Sequence, residues 1–209
     1  MDSRVGNKHF KTASFAIVWV VAIVIGARAL LSYENTPGHT GSVPSRWPAD
    51  SGIERATDRP TLVMLVHPQC PCTRASVAEL AKIMARVHGQ VRAYVLVAKP
   101  RDQGADWIDT AVWKAAKAIP EVSVLVDLDG EESRRFGAET SGHTIVFNSA
   151  GRLMFVGGIT ESRGHEGDNI GENAIVSLLS DQNAAVARST SIFGCSFADR
   201  QKKGNPCRN

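Results

Sequence analysis

The sequence lacks most of the signatures that would announce a function at once. No two of its four cysteines have two residues between them, so there is neither a C-x-x-C redox pair nor the paired C-x-x-C of a structural zinc site. Four cysteines are also too few for a disulfide-built miniprotein. No G-K-S/T phosphate loop occurs. Charge of one sign is missing too: 24 basic residues face 21 acidic ones, a net charge of only +3. A nucleic-acid binder would carry a concentrated basic face instead. With 43% hydrophobic and 22% charged residues, a wholly disordered or fibrous chain is excluded.

The hydrophobicity is unevenly spread. Residues 15–27 read FAIVWVVAIVIGA without a charge, and the wider window 12–31 contains one, Arg28. A helix of about twenty residues spans roughly 30 Å, the hydrocarbon thickness of a bilayer. Arg4, Lys8 and Lys11 precede the run, opposed only by Asp2, and this asymmetry keeps residues 1–11 in the cytoplasm. Three readings compete: an uncleaved signal-anchor, a cleaved signal peptide supported by Ala27-Arg28-Ala29, and a buried core helix. The run is apolar on every side rather than amphipathic, which disfavours the last. The first two both place the rest of the chain outside the cytoplasm, where disulfides persist.

Residues 32–58 are rich in Pro, Gly, Ser and charge and read as a flexible linker. From residue 59 to 187 strand and helix signals alternate. Expected strands are Thr61–Val66, 91–97, 122–126, His143–Phe147 and 152–156. Expected helices are Thr73–Val87, 106–119, 131–136 and 171–186. This order implies an α/β domain, a mostly parallel central sheet flanked by helices with an antiparallel hairpin edge. Residues 188–209 form a polar C-terminal tail.

The strongest chemical signal is His67-Pro68-Gln69-Cys70-Pro71-Cys72, between the first strand and the first helix of the domain. A cysteine there meets the unpaired N–H groups and positive dipole end of the helix, which stabilise a thiolate. Pro71 suits the first helical turn, where its missing N–H is not needed. A C-x-C disulfide closes a small strained ring, which favours giving the disulfide away. Cys70 is the expected attacking thiol and Cys72 the near resolving one. Two rival readings stand beside this. Either cysteine can be an inert buried hydrophobe, or Cys70 and Cys72 can bind copper(I) or zinc with the nearby His67, or with His165 as a distant histidine, soft thiolates suiting such metals. Cys195 and Cys207 can close a loop of their own, worth ~2–3 kcal/mol, or Cys195 can return to the site as a distal resolving thiol. Four cysteines allow three pairings, and spacing does not choose among them.

The strand TLVMLV, the C-P-C at a helix start and the stretch VSVLVDLDGEESRRFGAETSGHTIVFNSAGRLMFVGGI resemble the membrane-anchored thioredoxin-like proteins of the TlpA/ResA class. The matching positions are Asp127 or Asp129, Gly130, Phe136, Gly137, then 144–147, Gly151 and Leu153. The C-P-C, the segment GGITESRGHEGDNIG and the FGC of the tail look more specifically like the RedB-type branch. The resemblance implies a thioredoxin-like fold, thiol–disulfide exchange with a protein substrate and a redox partner protein. It also implies a place on the outer face of a bacterial-type inner membrane, with no resident cofactor. Two departures matter. Thr73 stands where the second cysteine of C-x-x-C belongs, and Gly142 or His143 where the family has a cis-proline. The loop Gly142-His143-Thr144 is then the expected substrate-binding segment, and His143 can lower the pKa of Cys70. His67, where peroxidases of the superfamily carry threonine, disfavours that activity. The missing C-x-x-C leaves a redox-inactive binding domain open. Residues 157–171 form a glycine-rich loop with Arg163, His165, Glu166, Asp168 and Asn169, expected either to cap the last helix or to form part of a site.

Overall fold

The computed structural model describes residues 3–197, with side chains from residue 12 onward. The chain divides into two compact units at Thr36/Pro37. The first is one helix, α1 (Ser3–Glu34). Its stretch Thr12–Glu34 is long and apolar enough to cross a membrane, the one such helix among the described residues. Apolar side chains face outward all round it, Trp19 and Ile25 among them. That exposure suits a lipid surround and fits a single-pass anchor.

The second unit is built on five strands, β1 (Thr61–Val66), β2 (Arg92–Lys99), β3 (Val122–Leu128), β4 (His143–Phe147) and β5 (Leu153–Gly157). They lie in the order β3-β2-β1-β4-β5. The first three are parallel, with Leu65 beside Leu96 and Leu96 beside Leu125. β4 runs antiparallel to β1, and β5 antiparallel to β4. Every residue of β1 and β4 is buried. A central strand covered on both faces needs an unbroken apolar run, and TLVMLV supplies one. One sheet face packs on α2 (Thr73–Val87), α3 (Ala111–Lys117) and α5 (Ile170–Ser180), through Leu80, Ile83, Val112, Ile175 and Leu178. The other face carries Val63, Leu65, Phe136 and Phe147, beside the short α4 (Glu131–Arg135). A β-α-β-α-β unit followed by a hairpin and a closing helix is a thioredoxin-like fold, as the resemblance implied. The first turn of α2 therefore stands at the C-terminal edge of the central strand, the edge at which open α/β sheets place their ligand sites.

Three expectations change. The helix over 106–119 is two pieces, a 3₁₀ turn at Ala105–Trp107 and α3. Thr110 breaks it: its hydroxyl accepts from the Trp113 N–H at 3.3 Å and starts a new helix. The helix over 171–186 stops at Ser180. At its other end Asn169 caps it, accepting from the Glu172 N–H at 2.7 Å. The flexible linker over 32–58 is, from residue 37, a strap bound to the domain. Trp47 meets Phe136 and Phe147 edge-on at 5.1 and 5.4 Å. Backbone bonds join Trp47 N to Gly151 O and Leu153 N to Ser45 O. Three separated apolar residues, Val43, Trp47 and Ile53, pack on the sheet without any periodicity, so composition alone reads as coil.

Candidate functional site

The chain leaves β1 at Val66, turns, and enters α2 through the cysteines. The turn is closed by the Cys70 N–H on His67 O at 3.2 Å, and the Thr73 N–H returns to Cys70 O at 3.2 Å. Cys72 is the residue that caps α2, but its side chain makes no capping bond. Both sulfurs thus stand at the positive end of the helix. Both are free thiols and both are buried, Cys70 at 1% exposure and Cys72 at 6%. Pro71 between them is exposed.

The two sulfurs share one proton unequally. Cys72 donates a hydrogen bond to Cys70, and this is the main reason the Cys70 thiol is lowered to about 5, against the desolvation that opposes it. The Thr73 hydroxyl and the backbone N–H groups of Cys195 and Thr73 add to the lowering. Cys72 is pushed up, first by that same hydrogen bond, then by burial and by the charge on Cys70, with Arg163 pulling the other way. Near neutral pH, Cys70 is a thiolate and Cys72 holds the proton.

A hydroxyl network fixes this turn against the loop before β4. The His67 N–H donates to Ser141 Oγ at 2.7 Å, and Ser141 Oγ lies 2.6 Å from Thr73 Oγ1. Thr73, in the place of a second cysteine, thus serves both Cys70 and Ser141. The Gly142 N–H reaches Leu65 O at 2.8 Å. Gly142 sits at φ +89°, and a β-carbon there would come within 2.9 Å of Ser76 Oγ, so glycine is required. Thr144 is buried and donates to Gly142 O at 3.2 Å.

The histidines fall in three different settings. His67 is buried, its Nδ1 accepts from the Gln69 N–H at 3.3 Å, and its ring meets Trp107 edge-on at 5.8 Å. His143 is fully buried and neither ring nitrogen has a hydrogen-bond partner. Desolvation lowers it to about 4, so it is neutral at pH 7. The groups that lower Cys70 are Cys72, Thr73 and Cys195, without His143. His165 is exposed in the glycine-rich loop. Among the described residues no three His, Cys, Asp or Glu side chains are grouped to hold a metal ion.

The glycine-rich loop is held to α2 by Glu79. This fully buried carboxylate accepts from the Gly167 N–H at 2.8 Å and from Asn169 Nδ2 at 3.5 Å, and pairs with Lys82 at 2.8 Å. So anchored, the loop delivers Arg163 to the thiols. Arg163 acts on Cys72 and donates from Nη1 to Gly194 O at 2.7 Å. The sequence placed Arg163 in a polar cluster without linking it to the cysteines. It gave no sign of Ser141, whose bonds to His67 and Thr73 span 74 and 68 positions.

The tail reaches the site as well. Cys195 is 2% exposed and packs in one buried cluster with Cys70 and Cys72. Its N–H donates to Cys70 Sγ at 3.4 Å. Cys195 is disulfide-bonded, whereas Cys70 and Cys72 are free. The position of Cys207 lies outside the described residues. Thus Cys70, Cys72 and Cys195 come together, and His165 does not join them.

No family model matches the chain, and no curated protein does. Solved structures do match. A hypothetical protein from Sinorhizobium meliloti is similar at 13% identity with a TM-score of 0.56, over 78% of this chain and 96% of that one. An uncharacterized conserved protein from Geobacillus kaustophilus is similar at 16% identity with a TM-score of 0.55, over 78% and 91%. A thioredoxin-like protein solved in its oxidized form is similar at 15% identity with a TM-score of 0.44, over 71% and 96%.

Proposed function

We propose that this chain is a membrane-anchored, extracytoplasmic thiol–disulfide oxidoreductase, of the TlpA/ResA class and its RedB-type branch. The observation that carries the reading is the split of one C-P-C pair at a helix N-terminus into a thiolate, Cys70, and a proton-holding thiol, Cys72. Exchange needs one of each. The Cys70 thiolate attacks one sulfur of a substrate disulfide, and the other sulfur leaves as a thiolate. Cys72 then gives up its proton and attacks Cys70 Sγ. A Cys70–Cys72 disulfide forms, the second substrate sulfur leaves, and two electrons have passed to the substrate. A dithiol protein partner restores the pair by the reverse steps. Gly142, His143 and Thr144 line the loop beside the substrate cysteine, with His67 and Pro71 shaping the thiol turn. Arg4, Lys8 and Lys11, ahead of the apolar stretch Thr12–Glu34, hold the N-terminus in the cytoplasm and the domain on the outer face.

The test uses the full chain in detergent. Thiols are mass-tagged across graded glutathione ratios, and copper(I) is titrated in parallel. A Cys70–Cys72 disulfide with a defined midpoint, together with reduction of a disulfide-bonded peptide, is the expected result. Tight copper(I) binding with thiols unmoved by glutathione would overturn the reading. Undiminished exchange by Cys70→Ala would overturn the choice of attacker.

A further inference from the structure

The tail segment 194–197 lies on the loop before β4 as a bound strand. The Ser141 N–H donates to Cys195 O at 2.9 Å, and the Phe197 N–H donates to Glu139 O at 2.7 Å. Between these bonds Thr140 and Ser196 form an antiparallel bridge. This is strand addition, in which main-chain bonds fix a peptide in one register. Arg163 clamps the same segment through Gly194 O, and Phe197 is buried against the sheet face that carries Val63, Leu65, Phe136 and Phe147. At Gly194 a β-carbon would fall on the carbonyl oxygen of Ser141, so the two chains touch backbone to backbone. The register sets Cys195 against Cys70, N–H to sulfur. The segment therefore presents a disulfide-bonded cysteine to a thiolate within a buried site.

We infer that the Cys195 disulfide is an internal substrate of the Cys70–Cys72 pair, and that the tail carries its electrons onward as a relay. This rests on the exchange chemistry proposed above and names its first acceptor. Cys70 attacks Cys195 Sγ, a Cys70–Cys195 bond forms, and the former partner of Cys195 leaves as a thiolate. Cys72, deprotonated, attacks Cys70 Sγ and releases Cys195. One disulfide is reduced, one is formed at Cys70–Cys72, and no outside oxidant is consumed. Cys195 and its former partner, now thiols, are the form that meets an external disulfide.

The experiment replaces the resolving thiol in the full chain, Cys72→Ser. Samples in detergent are equilibrated across glutathione ratios, acid-quenched, alkylated, digested and mapped by mass spectrometry. A Cys70–Cys195 linked peptide is expected to accumulate at least tenfold over the wild type, and to vanish on adding Cys70→Ala. In the wild type incubated without glutathione, alkylated Cys195 is expected to appear in step with the Cys70–Cys72 link. Cys72→Ala, checked for fold by circular dichroism, is expected to trap the same species. Both Cys72 variants leaving Cys195 unlinked to Cys70 at every ratio would overturn the relay, even where an external peptide disulfide is reduced by the wild type. A trapped Cys70–Cys195 link with no reduction of that peptide would uphold the relay and sink the reading that another protein is the acceptor.

Discussion

Replacing Cys72 tests how the site makes its thiolate. The hydrogen bond from Cys72 is the largest influence holding Cys70 at about 5. A hydrogen bond to a charged group contributes about 1.5–3 kcal/mol, and about 1.36 kcal/mol corresponds to one pH unit. Cys72→Ala should therefore raise the Cys70 midpoint by about one to two pH units, to roughly 6–7. At pH 6 the thiolate fraction would fall from about nine-tenths to about a quarter for a midpoint near 6.5. Cys72→Ser keeps a hydroxyl donor and should stay close to the wild type. The measurement is the ultraviolet absorbance of the thiolate against pH in the full chain, with Cys70→Ala as the blank. A midpoint unchanged in Cys72→Ala would refute the reasoning, because Thr73, Cys195 and the helix would then suffice. A wild-type midpoint above 8 would refute the thiolate itself.

Other perturbations follow from the same geometry. Arg163→Met removes the donor to Gly194 O; with about 1–3 kcal/mol lost from the clamp, iodoacetamide should label Cys70 several-fold faster, and an unchanged rate would show that Arg163 does not hold the tail. Trp47→Ala should lower stability by about 2–3 kcal/mol in urea unfolding, less than a fully buried tryptophan costs, because Trp47 is only half-buried; no change would mean that the strap is free in solution. Burial holds His143 at about 4, below its ordinary value near 6.5. Protons then favour the unfolded chain as pH falls, so the stability present above pH 6.5 declines by about 3 kcal/mol on reaching pH 4. Cys70 acts in the same direction, so the contrast with His143→Leu isolates the histidine, and parallel pH curves for the two proteins would count against it.

The pattern of residues was enough for the elements that pack through continuous or periodic apolar runs. Thr61–Val66, Thr73–Val87 and His143–Phe147 have the bounds read from sequence, since each is a central strand or the helix laid directly on the sheet. The order of strands and helices implied the α/β sheet with its hairpin edge, the resemblance implied the thioredoxin-like arrangement, and a run of uncharged residues implied the N-terminal helix. The C-P-C at a strand-to-helix turn marked the site, because a helix N-terminus favours a thiolate in any surroundings. Tertiary contacts decided the rest. The strap over 37–56 binds through isolated side chains that have no period to detect. Ser141 reaches the thiol turn and Arg163 reaches Cys72 only because the sheet brings distant loops to one edge, so no local motif carries them. Which sulfur is the thiolate depends on donors from three separate segments, with Cys72 and Thr73 beside Cys70, Arg163 from the glycine-rich loop and Cys195 from the tail. A hydrogen bond between residues 125 positions apart is invisible to spacing, and it is that contact which sets the tail cysteine, a candidate resolving thiol in the sequence, against the attacking sulfur.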